Sequence, residues 1–388
     1  MKTLHFTQEQ ITEILSQVGS KKDGINEILQ ISLEALMRAE RNLHNTQNSD
    51  VSNGFRSIKA FGQGQQLRLQ VPRSRNGSFY PVLLSVLRNQ EEECRNIAFK
   101  LYGSGLTTLQ VGEIFDDLYG KRYSTSQVSR LFDDARVEVK EWLERPLLPC
   151  YPIVYVDATF IYTRRNESVS KEAYYTILGV RPDRTREVLA IVNFPTESST
   201  GWLEVLHSLK NRGVKEVQLF VSDGLNGIEN AIASTFSSAD MQLCVVHLER
   251  NILKHIKPKD KMEVGSELKE VFQTAIKEDT IQKGWKRWTV FIEKNKKKYS
   301  VLSNFQMDRY RQYFTYLKFD YRIRSMIYTT NWIERLNKDY KRTTKMRGAL
   351  PNPEATILLL GYVAMNRNAY TRKVPKLDYE KHFKWDEE

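Results

Sequence analysis

A chain of 388 residues exceeds one ordinary domain, and 40% hydrophobic residues are enough for packed cores, which excludes a disordered chain. Lysine and arginine exceed aspartate and glutamate by 59 − 47 = +12, a balance that points to a polyanionic partner, nucleic acid first. No run approaches the ~18 apolar residues of a membrane span and the polar start has no signal-peptide core, so a cytoplasmic protein with no membrane partner is expected.

In chain order, residues 7–43 read as helices, with Ile11, Ile14, Leu15 and Val18, then Ile25, Ile28, Leu29, Leu33, Leu36 and Met37, at helical spacing. The polar run 44–54 reads as a linker. A short strand candidate at 67–71 precedes the basic turn Pro72-Arg-Ser-Arg75-Asn-Gly77, for which a solvated loop and a phosphate contact through Arg75 both stand. Three helical stretches follow, at 91–102, from Thr107 or Thr108 to Leu118, and from a Ser124-Thr-Ser-Gln127 capping box in one long helix to Pro146. A short helix, a Gly-containing turn and a capped helix carrying Ser126, Gln127 and Arg130 make a helix-turn-helix pattern, with those three as candidate DNA contacts. A plain three-helix bundle gives the same periodicity.

From Tyr151 the pattern changes to strands at 153–163, 173–180 and 187–193. Helix 201–210, strand 217–222, helix 227–236, strand 242–246 and helix 247–256 follow. The order β-β-β-α-β-α-β-α is that of a ribonuclease-H-like α/β fold. Residues 258–326 break the alternation as a basic, aromatic, helical insertion. Its aromatic residues read as core, and its Lys294-Asn-Lys-Lys-Lys298 run as a solvated helix end. A helix carrying Glu334, then an apolar helix at 354–365, close the fold, and the tail from Lys373 reads as loose.

Three carboxylates sit where separate elements of such a fold converge. Asp157 lies mid-strand among apolar neighbours, where an ionised carboxylate needs a cation or hydrogen bonds; a buried structural Asp is its rival reading. Asp223 ends an apolar strand, and Asp223-Gly224 is also a common turn pair. Asn331-x-x-Glu334 fits a capping box as well as a site. The stripe Lys338, Lys341, Lys345 below Glu334 favours the site, because a cap needs no cations and a DNA track does. Carboxylates so gathered hold the paired divalent ions of phosphodiester chemistry, and Mg²⁺ suits oxygen donors. Cys244-x-x-His247 is half a zinc motif; with only Cys94 and Cys150 besides, it reads as packing beside the site or as His247 supporting a carboxylate.

The ordered segments Tyr155-Val-Asp157-Ala, Glu197-Ser with Gly201-Trp202, Asn211-Arg-Gly213, Ser222-Asp223-Gly-Leu, Gln242-Leu-Cys244-Val-Val-His247 with Arg250-Asn251, and Tyr328-Thr-Thr-Asn-Trp-Ile-Glu334 resemble the Mutator-type transposases of bacterial insertion sequences. Arg75-Asn-Gly77, Leu118-Tyr-Gly120 and Trp142-Leu-Glu-Arg-Pro-Leu147 fit as well, so the likeness spans about residues 70–365. Asn226 departs from it, standing where members often carry a basic residue. The resemblance implies a DDE transposase using Mg²⁺, or Mn²⁺ as substitute, with Asp157, Asp223 and Glu334 as catalytic metal ligands and Cys244 and His247 as the associated motif. It implies double-stranded DNA partners, the terminal inverted repeats and a target, and a homo-oligomer on nucleoid DNA. The expected organisation is a helical region and linker at 1–54, a DNA-binding region at 55–149, the catalytic domain at 150–257 and 327–365, an all-α insertion at 258–326 and a tail at 366–388. A silent DNA-binding descendant and a nuclease that cuts without joining are the alternatives.

Overall fold

A computed structural model of the chain describes residues 8, 9, 12, 16, 24–61, 66–119, 124–194, 199–345, 347–366, 373 and 374. They fall into two compact units, Met1–Ala135 and Arg136–Glu388.

In the first unit, helix α1 (Gly24–Asn48) packs Leu33 and Met37 against the hairpin of β1 (Ser52–Phe61) and β2 (Gln66–Ser74). The run at 44–54 is therefore no linker. It supplies the last turn of α1 and the start of β1, held by Thr46 Oγ1 donating to Asn42 O and Asn45 Nδ2 to Ser52 Oγ. The basic turn is fixed too: Arg75 N–H donates to Val51 O at 2.8 Å and Asn76 N–H to Asp50 Oδ1 at 3.2 Å. Helices α2 (Val82–Gly103), α3 (Thr108–Tyr119) and α4 (Thr125–Leu131) bury Ala98, Phe99, Val111, Phe115 and Val128. A reciprocal capping box opens α3, with Thr107 N–H donating to Gln110 Oε1 and Gln110 N–H to Thr107 Oγ1. The long third helix is in fact two, α4 and α5 (Asp133–Glu144), broken where Phe132 turns its ring onto Phe99 and Tyr102.

The second unit is a mixed α/β layer. Its five-stranded sheet has the order β5-β4-β3-β6-β7, from β3 (Cys150–Arg165), β4 (Ser168–Val180), β5 (Arg186–Asn193), β6 (Glu216–Ser222) and β7 (Asp240–Leu243). The first three are antiparallel, and β6 and β7 run parallel to β3. Val154 and Val156 join α6 (Ser199–Asn211) and α7 (Ile228–Thr235) in one core. Successive strand residues point to opposite faces, so Tyr155 and Asp157 point to the other face. There lie α8 (Val245–Lys254), α12 (Asn331–Lys345) and α13 (Pro353–Met365). The tail is docked at its described part: Val374 is buried, and its N–H donates to Arg184 O at 2.8 Å.

Between α8 and α12 come α9 (Lys261–Val271), α10 (Ile281–Lys296), 3₁₀ segments Ser300–Phe305 and Asp308–Lys318, and α11 (Tyr321–Ile327). Trp288, Phe291, Phe305, Phe314 and Tyr316 are core, whereas Trp285 and Tyr310 are half-buried. Lys294 and Lys298 stay exposed, as a solvated helix end should, and pair with Glu267 and Asp260, each at 2.9 Å. The buried amide of Gln242 on edge strand β7 accepts from Tyr316 N–H at 2.6 Å and donates to Tyr313 O at 3.1 Å. That clamp covers the open sheet edge with the second 3₁₀ segment. Among the described residues, no helix is long and apolar enough to cross a membrane.

Candidate active site

The apolar strand that carries Asp157 leaves its carboxylate 5% exposed. Asn337 Nδ2 donates to Asp157 Oδ2 at 2.7 Å. Burial pushes the carboxyl up to about 6; Asp223 and Glu334 add to the rise, while His247 and the Ala158 N–H oppose it. The neighbouring strand brings the second carboxylate. Val156 stands opposite Ser222 at the end of the parallel ladder, so Asp223, one residue past the end of β6, comes next to the position of Asp157. Asp223 also makes its turn, its Oδ1 accepting from Gly224 N–H at 2.8 Å. Turn and site use coexist here. His247 Nδ1 lies 3.9 Å from Asp223 Oδ1 and is buried with no hydrogen-bond partner among the described residues.

Among the described residues the Glu334 carboxylate makes no bond back to the start of its helix. Asn331 N–H donates instead to Thr329 Oγ1 at 3.2 Å, and the Glu334 carboxylate turns to Arg250, whose Nη1 donates to Oε1 at 3.1 Å. One turn on, buried Asn337 reaches Asp157, and this bond ties α12 to β3. Lys338, Lys341 and Lys345 lie exposed further along the helix.

The Cys-x-x-His junction explains how α12 is aimed. The buried Cys244 thiol accepts from Thr330 N–H and Thr330 Oγ1, both at 3.4 Å. Cys244 N–H donates to Ser222 O and Val245 N–H to Tyr328 O. One cysteine thus links the ends of β6 and β7 to the residues that start α12. Burial raises its pKa, so it serves as a neutral acceptor. Among the described residues no three His, Cys, Asp and Glu side chains approach closely enough to hold a metal ion, and Glu334 is occupied by Arg250. Beside Asp223 opens a cleft of about 420 Å³, lined by His247, Arg250, Lys254, Arg309 and Tyr310 among others.

Asp157, Asp223, Glu334, Cys244 and His247 therefore gather at one end of the parallel strands. In the other unit Arg75, Ser126 and Arg130 are exposed; Gly120, Glu197 and the Gln127 side chain lie outside the described residues. Sequence reasoning passed over Asn337, Thr330 and Arg250 as site residues. A usable signal existed for two of them: Asn337 is three residues beyond Glu334 and Arg250 three beyond His247, each on its partner's helical face.

Residues 5–372 match the family described as Transposase, Mutator family. The chain belongs to that family, and the match extends into the first 60 residues, which the motif likeness did not reach. It is 30% identical over 367 residues to the transposase for insertion sequence element IS1201 of Lactobacillus helveticus, covering 93% of this chain and 96% of that one. To the transposase for insertion sequence element IS905 of Lactococcus lactis subsp. lactis it is 30% identical, covering 89% and 90%. For the transposase of IS256 in transposon Tn4001 of Staphylococcus aureus the identity is 28%, covering 94% and 96%. Among solved structures it is similar to the Drosophila P element transposase strand transfer complex, with a TM-score of 0.38 at 9% identity over 73% of this chain and 93% of that one. That likeness is too loose to define the fold.

Proposed function

We propose that this chain is a DDE transposase with a ribonuclease-H-like catalytic domain, which binds terminal inverted repeats and cuts and joins DNA through Asp157, Asp223 and Glu334. The observation that carries the reading is that Asp157 and Asp223 each follow the last paired position of the parallel ladder, Val156 opposite Ser222, with the helix of Glu334 bonded to Asp157 through Asn337. The strand order and the β-β-β-α-β-α-β-α succession support the fold assignment.

The residues suit Mg²⁺, or Mn²⁺ in its place. All three donors are carboxylates, one of them a group whose burial disfavours its ionised form, and the buried Oδ1 of Asn337 beside it has no hydrogen-bond partner among the described residues. Bound there, the ions would polarise the attacking and leaving oxygens. Asn337 holds the Asp157 carboxylate in one orientation, Cys244 and Thr330 fix the start of α12, and His247 places a ring beside Asp223. Lys338, Lys341 and Lys345 offer the DNA backbone a track of phosphate contacts. In the N-terminal unit, Arg75, Ser126, Gln127 and Arg130 contact the element ends, and the protein acts as a homo-oligomer on nucleoid DNA.

The test is strand transfer in Mg²⁺ with a duplex ending in a pre-cut terminal repeat and a supercoiled target. Joined products, lost with Glu334→Gln, are expected. Cleavage of an uncut end without any joining would replace the transposase reading with that of a nuclease.

A further inference from the structure

Arg250 is placed between two anionic demands. Its guanidinium makes a single bond to Glu334, at 3.1 Å, in a pair whose side chains are 56% and 24% exposed. The same residue lines the cleft beside Asp223, with Lys254 and Arg309. His247, Arg250 and Lys254 recur at i, i+3 and i+7 on α8, so one helical stripe faces that cleft. Lys254 has no carboxylate within ion-pair reach among the described residues, while Arg309 is held by Glu229 at 3.1 Å. Unpaired Lys254, beside an Arg250 held by one bond, suits an anion of phosphodiester chemistry, and a guanidinium binds phosphate with two parallel bonds where it now makes one to Glu334.

We propose that Arg250 exchanges partners: a DNA phosphate entering the cleft takes its guanidinium from Glu334, and Glu334 is released toward Asp157 and Asp223. The DNA-free protein then keeps its carboxylate set incomplete, and substrate completes it. This rests on the assignment of the three carboxylates as metal ligands. It explains why the side chains converge without forming an ion-sized cluster. It also gives Arg250 a purpose that the single half-exposed pair does not, since pairs of this kind contribute little to stability.

The experiment measures Mn²⁺ binding to the full chain by the EPR signal of free Mn²⁺, with and without an excess of a short terminal-repeat duplex at fixed salt. Wild type is expected to bind Mn²⁺ about tenfold more tightly with DNA, and Arg250→Met without DNA to approach the affinity of the wild-type complex. A DNA-free affinity of Arg250→Met equal to or weaker than wild type overturns the exchange. In parallel, Arg250→Met should reduce the slope of log affinity for DNA against log salt by about one; an unchanged slope overturns the phosphate contact. Asp157→Asn separates the two levels of inference. Should it abolish Mn²⁺ binding while Arg250→Met leaves affinity unaltered, only the exchange fails; should Mn²⁺ binding survive it, the ligand assignment itself fails.

Discussion

Asp157→Asn should stabilise the DNA-free, metal-free protein at pH 8. An Asp that keeps its proton up to about 6 rather than its ordinary 3.8 costs the ionised folded state about 3 kcal/mol. The sign follows from proton binding. Between the unfolded and folded pKa values the native state holds more protons than the unfolded one, so stability falls as pH rises from about 4 to about 6 and stays low above it. Asparagine removes the charge and still offers Asn337 Nδ2 an acceptor, though its amide must be buried, so a net gain of about 1–3 kcal/mol is expected. In a unit of this size that raises the melting temperature by about 2–4 °C per kcal/mol. The assay is thermal unfolding followed by circular dichroism in EDTA, at pH 8 and again below pH 4, where the wild-type carboxyl is protonated and the advantage should vanish. An Asp157→Asn protein equal to or less stable than wild type at pH 8 would refute the claim that burial of this carboxylate outweighs the contacts that favour its ionised form.

Glu187 should behave in the opposite way. Burial alone would raise its pKa, but hydrogen bonds from Arg181, Arg145 and Tyr151 outweigh it and hold the carboxyl at about 2. Its contribution of about 3 kcal/mol is present above about 4.5 and lost as pH falls through about 2. Glu187→Gln should therefore unfold more easily at pH 7 and lose that acid-dependent slope, as read by urea titration at several pH values. Cys244→Ala removes the acceptor for both Thr330 donors and should cost about 1–3 kcal/mol in the same titration, with cleavage falling further than stability explains. Equal activity per folded molecule would show that Thr330 does not need the thiol. Arg75→Ala and Arg130→Ala should each reduce the salt slope of terminal-repeat binding by about one, measured by fluorescence anisotropy.

The second unit was largely legible from sequence because its strands are apolar runs separated by turn residues and its helices are amphipathic. That alternation survives tertiary packing. Three places were not legible, for different physical reasons. The polar stretch 44–54 carried signs of exposure, but exposure is compatible with a helix end and a hairpin edge once side chains such as Thr46 and Asn45 satisfy the backbone and one another. The break at Phe132 is set by rings 5.1 and 4.7 Å away, from Phe99 and Tyr102, a tertiary contact that helical periodicity does not encode. Val374 sits in a polar tail yet fills a site beside Arg184. At the site, Asp157 and Asp223 were readable because a carboxylate in or ending an apolar strand demands an explanation. Asn337 and Arg250 were harder to see: their spacing from Glu334 and His247 puts them on the site's helical faces, but helical periodicity does not say which polar residue on a face meets a carboxylate.

The central claim, that Asp157, Asp223 and Glu334 work as one site, is tested most directly by single-turnover cleavage of a terminal-repeat duplex in Mg²⁺. Wild type is compared with Asp157→Asn, Asp223→Asn and Glu334→Gln under conditions where each is shown to be folded and DNA-bound. The expected result is that every substitution lowers the cleavage rate by on the order of a thousandfold or more while leaving duplex affinity within about threefold, since each removes a ligand of the reacting centre. Wild-type cleavage by any one of the three would contradict the account.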